Sequence, residues 1–148
     1  MIADPSSTAR EPILAAGGIV LGSEKNSGKI CLVRRHRYPG EIGLPKGKLR
    51  AGEIAIEAAR REVGEETGCK VEILEYAGTT HYLVGNIPKA VFYFVMKADG
   101  KQDGGPKDKE EIENVEWLTP RDALRVLTHQ EDRELISAVF GITQDKQE

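Results

Sequence analysis

Ile13 to Gly22 and Lys29 to His36 are short apolar runs rich in Val, Ile and Leu, separated by the turn formers Glu24 to Gly28. This pattern predicts a strand, a connection and a second strand. Residues 38–53 then hold two prolines and four glycines in sixteen positions, which predicts a loop with little regular structure. From Ile54 to Thr67 the period changes. Ala55, Ile56, Ala58, Ala59 and Val63 form an apolar stripe at helical spacing, and Gly68 is placed to end the helix. Gly64 inside this helix costs about 1 kcal/mol against Ala, so helix propensity did not select it. Residues 70–84 and 89–98 are rich in strand formers and bracket Gly85 to Pro88, predicting an antiparallel pair. Residues 99–111 are polar and glycine-rich, hence an exposed loop, and Asn114 to Leu118 predict a short strand. Thr119 and Pro120 offer an N-cap and first-turn proline for a helix through Leu127, and a last helix is predicted over Asp132 to Phe140.

These elements make a mixed α/β chain without regular strand–helix alternation, which argues against a doubly wound parallel sheet. They place one domain at 13–142, between a flexible leader at 1–12 and a polar tail at 143–148. The length of 148 residues suffices for a real core. A net charge of −3 argues against broad nucleic-acid binding, and no stable nucleic-acid partner is expected. A small phosphorylated ligand needs only a local site. Cys31 and Cys69 have no zinc-type spacing. No signal peptide or membrane-length apolar run is evident, so a cytoplasmic protein without a membrane partner, monomeric or homodimeric, is expected.

The informative stretch runs from Gly47 to Gly68. Glu62, Glu65 and Glu66 share one helix face near its C-terminal end, where like charges repel and the macrodipole disfavours anions. Considered alone, with only the helix to go on, the cluster reads first as a solvated acidic face balanced by Arg60 and Arg61. Glu57, however, stands four residues before Arg61 and is placed to pair with it, leaving surplus negative charge. The other reading is a divalent-cation site, since hard cations take carboxylate and carbonyl oxygens. Gly47 and Gly52 allow the preceding loop to approach closely, and the Gly47 carbonyl is a further candidate ligand. The glycine spacing is not that of a P-loop. Lys46 and Lys48 are candidates to meet a phosphate.

Gly47, Glu53, Arg61-Glu62, Val63, Glu65-Glu66 and Gly68 stand at the spacing of the Nudix box, and the chain resembles the Nudix hydrolases over most of residues 13–140. Cys69 departs from the aliphatic residue that usually closes the pattern. The resemblance implies an α/β/α sandwich with a mixed β-sheet, and cleavage of a diphosphate linkage in a nucleoside diphosphate derivative, a small-molecule nucleotide. It implies Mg²⁺ or Mn²⁺ held by Glu62, Glu65, Glu66 and the Gly47 carbonyl. Glu53 would hold the loop against the helix and Arg61 would orient the glutamates. The general base is Glu62 or a glutamate outside the box; among Glu110, Glu111 and Glu113, Glu111 is favoured by its distance from Trp117. The wider sequence is similar to the dinucleoside polyphosphate hydrolases, which implies diadenosine tetraphosphate as first substrate, Lys89 on a phosphate, and Tyr82 or Tyr93 stacking on adenine. The aromatic residue that this branch carries before Leu44 is absent, Ile42-Gly43 standing there. Arg34, Arg35, His36 and Arg37 would add positive charge at the mouth. His36, His81 and His129 form no evident metal set or triad. Alternatives are an oxidised nucleoside triphosphate pyrophosphatase, an ADP-ribose or nucleotide-sugar pyrophosphatase, or a non-catalytic nucleotide or RNA-end binding module.

Overall fold

The computed structural model describes residues 11–37, 40–102 and 105–143. Most of the expected leader and tail lie outside them. Among the described residues are seven strands: β1 (Ile13–Leu21), β2 (Ile30–Arg35), β3 (Ile42–Gly43), β4 (Lys46–Lys48), β5 (Cys69–Val84), β6 (Ile87–Gln102) and β7 (Ile112–Leu118). The helices are α1 (Ala55–Thr67), α2 (Pro120–Val126) and α3 (Gln130–Phe140), with a 3₁₀ turn at Glu24–Asn26. Two loop expectations change. The Gly/Pro segment contributes β3 and β4, because its backbone pairs with β2 and β1. Strand β6 extends through Asp99 and Gly100, because β5 continues to pair with it as far as Cys69–Gln102.

β1 is the spine of the sheet. One edge pairs in parallel with β6 along its whole length, from Ile13–Lys89 to Leu21–Lys97. Its other edge is shared. Ala15 to Gly17 pair with β4, whereas only Leu21 still pairs with β2. The sheet therefore forks at Gly17-Gly18, and the Pro45-Lys46 segment fills the fork, with Gly18 N donating to Pro45 O at 3.1 Å. A methyl group on Gly17 would overlap the Pro45 carbonyl and the Lys46 side chain. Beyond the fork, β2 pairs with β7 and β3.

Both faces are covered, which explains why β1 is apolar without alternation. On one face Ala58, Ala59 and Val63 of α1 pack against Ala16, Val20, Cys31, Met96 and Ala98. On the other, Ala123, Leu127, Leu135 and Ile136 of α2 and α3 cover Ala15, Ile19, Leu32, Val91 and Tyr93. The result is an α/β/α sandwich. The α1 helix ends where the sequence indicates, with Gly68 left-handed at φ 75° and its N–H bonded to the Gly64 carbonyl. Gly64 itself has room for a side chain: a Cβ there would come no closer than 3.9 Å to a neighbouring atom. No helix among the described residues is long and apolar enough to cross a membrane.

Candidate active site

Along α1 the acidic residues are buried to different degrees. Glu66 faces the sheet with 2% of its surface exposed, while the side chains of Glu62 and Glu65 are 15% and 38% exposed. Two arginines hold them. Arg35, the last residue of β2, meets Glu66 with both arms, Nη1–Oε2 at 2.7 Å and Nη2–Oε1 at 3.0 Å. Its Nη1 also donates to Glu111 Oε1 at 3.0 Å, and its Nη2 to the Leu44 carbonyl at 3.2 Å. The Lys46 backbone N–H donates to Glu66 Oε1 at 3.0 Å, tying β4 to the helix. Arg61 bridges Glu53 through two bonds of 2.8 Å each, and reaches Glu62 at 2.5 Å and Glu65 at 3.4 Å. Its Nη2 donates to the Lys48 carbonyl. Arg61 thus faces Glu53 rather than Glu57, correcting the expected pairing; Glu57 is exposed and in no ion pair among the described residues.

Five carboxylates, at 53, 62, 65, 66 and 111, share the guanidinium groups of Arg35, Arg50 and Arg61. The electrostatics follow from that shortage. Arg61, then the Arg50 N–H, hold Glu53 down at about 2. Burial pushes Glu62 up to about 7 despite Arg61 beside it. Burial likewise raises Glu66, opposed by Arg35.

The all-oxygen donor set suits a hard divalent cation. Gly47 packs so closely on the Glu62 carboxylate that a methyl group there would overlap it, so the β4 backbone and this carboxylate form one small cradle. Among the described residues, no three acidic, histidine or cysteine side chains converge on a point that could hold a metal. The physical reason is visible: Arg35 and Arg61 draw Glu66 and Glu62 toward themselves.

A small cleft borders this cluster through Arg35 and Lys46, the partners of Glu66. Tyr82, Glu41, His129 and Asp132 also line it. Cross-strand pairing of Tyr82 with Lys89 sets the Lys89 Nζ 5.7 Å from the centre of the Tyr82 ring. Burial first, then Lys46 and Lys48, pull Lys89 down to about 8. Burial and Arg35 lower Lys46 too. Like charges therefore crowd here with the opposite sign to those on α1.

Of the two tyrosines expected to stack on a base, Tyr93 is corrected: it is 1% exposed within the core, where its ring packs against apolar neighbours and is not open to stacking. Tyr82 is half-buried, with its ring parallel to that of His129, 6.4 Å between centres and 6° between planes. The expected basic mouth also changes. Arg34 pairs with Glu116, Arg35 is internal, and His36 lies 4.0 Å from Glu113. Glu41 and Asp132 carry no signal in the sequence, while Arg35, expected as charge at the mouth, and His129, expected in no metal set or triad, take other places. His129 is placed by the α2–α3 turn, where Thr128 N donates to the Ile42 carbonyl and Ile42 N to Thr128 Oγ1. Its Nε2 meets Glu41 Oε1 at 3.0 Å. No local sequence signal joins residues so far apart.

The NUDIX domain profile matches residues 11–139. The chain is 29% identical over 142 residues to an 8-oxo-(d)GTP phosphatase of Mycolicibacterium smegmatis, covering 90% of this chain and 43% of that protein. It is 29% identical to an ADP-ribose pyrophosphatase of Bacillus subtilis, covering 87% and 70% respectively, and 29% identical to a putative mutator protein MutT4 of Mycobacterium tuberculosis, covering 82% and 52%. The chain spans about half the length of the mycobacterial relatives. A C. elegans Ap4A hydrolase crystal structure superposes with a TM-score of 0.75 at 25% identity, covering 87% of this chain and 95% of that one. Sandwich, loop–helix cluster and profile agree, and the chain belongs to the NUDIX domain family.

Proposed function

We propose that this chain is a metal-dependent hydrolase that cleaves the diphosphate linkage of a nucleoside diphosphate derivative. One observation carries the reading: β4 sets a surplus of carboxylates on α1 beside a crowded set of lysines at 46, 48 and 89, with the Lys46 N–H bonded to Glu66. A divalent cation relieves the first and phosphate oxygens relieve the second. Members of this family generally use divalent metal ions. Glu62, Glu65, Glu66 and the Gly47 carbonyl would hold Mg²⁺ or Mn²⁺. Once bound, the ion would neutralise charge on the phosphate oxygens and acidify the attacking water.

The remaining work falls to the protein. Lys46, Lys48 and Lys89 bind phosphate oxygens, and Tyr82 stacks on the base. Arg61 and Glu53 clamp the loop to α1. Glu111 is the general base in this reading, because one of its oxygens is held by Arg35 while its side chain stays 43% exposed. Water attacks phosphorus, its proton passes to Glu111, and the bridging P–O bond breaks to release two phosphorylated products. Glu62, the other candidate, is engaged by Arg61.

A dinucleoside polyphosphate such as diadenosine tetraphosphate is the first substrate, supported by the likeness to the Ap4A hydrolase structure. An oxidised nucleoside triphosphate is the second, supported by the M. smegmatis relative; the B. subtilis relative likewise puts ADP-ribose on the panel. A cytoplasmic location belongs to the same reading, such nucleotides being intracellular. A substrate panel with Mg²⁺ and with chelator tests it. Glu65→Gln is the clean variant, because Glu65 is the most exposed of the three. It is expected to lower turnover 100-fold or more, on the order of one lost charge-stabilising group. Unchanged turnover would sink the reading, and binding without turnover on the whole panel would point to a non-catalytic module.

A further inference from the structure

We propose that Asp108 is the positioning residue for Glu111: it folds residues 108–112 into a turn that hands Glu111, and neither neighbouring glutamate, to the acidic end of α1. The inference rests on the reading of Glu111 as general base and adds what holds that base in place.

The end of α1 sets the starting condition. Carbonyls in the last turn of a helix lack partners within it and must find donors outside. The Gly64 carbonyl takes the Gly68 N–H. The Glu65 carbonyl takes two N–H groups from the loop before β7, those of Lys107 at 2.9 Å and Asp108 at 3.1 Å. Loop and helix are thereby one unit, joined at a residue of the acidic triplet.

Asp108 then turns the chain. Its Oδ1 accepts the Glu111 N–H at 3.2 Å, and its carbonyl accepts the Ile112 N–H at 3.0 Å. These are the bonds of an N-cap carboxylate on a helical turn, used here on a turn that runs straight into β7. From the other side, the Glu111 carbonyl accepts the His36 N–H at 2.8 Å. The Glu111 backbone is thus held at both of its polar groups, while its side chain stays 43% exposed and bonded to Arg35.

The turn settles a choice among the glutamates at 110, 111 and 113. Glu110 and Glu113 are exposed, and Glu113 lies 4.0 Å from His36. Of these glutamates only Glu111 is bonded to Arg35, which also holds Glu66. Successive residues of a helical turn point about 100° apart, so the residue that starts the turn decides which carboxylate is delivered. Asp108 is that residue, and it acts through the Glu111 backbone.

The full chain is tested as Asp108→Ala, Asp108→Asn, Glu111→Gln and the double variant Asp108→Ala/Glu111→Gln. The readouts are turnover with Mg²⁺ and, without substrate or metal, amide hydrogen exchange across 107–112. Asp108→Ala is expected to lower kcat by about tenfold to a hundredfold with KM little changed, the cost of misplacing a reacting group by about an ångström. Asparagine keeps the acceptor oxygen, so Asp108→Asn recovers most of the loss. On the Glu111→Gln background, Asp108→Ala costs less than about twofold, since no base is left to position. Exchange at the Glu111 amide rises in Asp108→Ala and falls back in Asp108→Asn. Full turnover in Asp108→Ala, an equal loss with and without Glu111, a loss that asparagine does not repair, or an amide that stays protected overturns the inference while the base assignment stands. Full turnover in Glu111→Gln, or no cleavage of any substrate on the panel, instead sinks the reading of Glu111 as base. The exchange result then decides by itself whether Asp108 fixes this residue.

Discussion

Asp132 carries a cost that the fold accepts for no packing reason. Burial pushes its carboxyl up to about 6 from the ordinary 3.8, with Glu131 adding to the rise and His129, Lys46 and Arg35 opposing it. The folded chain therefore holds this proton more tightly than the unfolded chain. The sign of the pH dependence follows: this residue's contribution to stability falls as pH rises from about 4 to about 6, then levels off. Asp132→Asn removes that slope. Above pH 6 the variant is expected to be more stable than wild type, by on the order of 3 kcal/mol, and below pH 4 the difference should vanish. Thermal unfolding of both proteins across this range measures it, and a less stable variant at pH 7.5 would refute the argument. Nothing in the polar run around Asp132 discloses this. The acidic triplet is different, because like charges at helical spacing are visible in one dimension.

At the scale of elements, the central pairing is β4 against α1. Strand β4 sits in the fork of β1, ties to Glu66 and Arg61 through its backbone, and brings Gly47 against Glu62. Two glycines on these elements should respond oppositely to alanine. Gly47→Ala drives a methyl group into the Glu62 carboxylate and is expected to destabilise by about 1–3 kcal/mol while reducing turnover. Gly64→Ala meets only an ordinary contact, the Cys69 carbonyl at 3.9 Å, and is expected to stabilise α1 by about 1 kcal/mol. Denaturant unfolding of the two variants separates them; equal effects would show that the cradle does not constrain residue 47. The β5–β6 pair, α1 with its Gly68 stop, and the two C-terminal helices were all legible from periodicity and caps. The short β3 and β4 were not, because their pairing partners lie elsewhere in the chain and their glycines and prolines read as loop.

For the whole molecule, the balance of charge links ligand to stability. A cation that binds the folded chain alone raises its stability by RT ln(1 + [L]/Kd), about 2.7 kcal/mol at a hundred times Kd. Mg²⁺ or Mn²⁺ is therefore expected to raise the Tm of wild type by several degrees and to have a smaller effect on Glu65→Gln. A Tm indifferent to either ion in wild type would contradict the cation site. The sequence by itself determined the family, the sandwich order and the acidic helix, because periodicity, caps and the spacing from Gly47 to Gly68 are local properties of the chain. Only the tertiary structure decided that Arg35 is the internal partner of Glu66, that Tyr93 is core while Tyr82 faces the cleft, and that His129 and Asp132 also line it. The physical reason is distance along the chain. Strand register and the fork in β1 bring together groups whose mutual charge and burial no local pattern encodes.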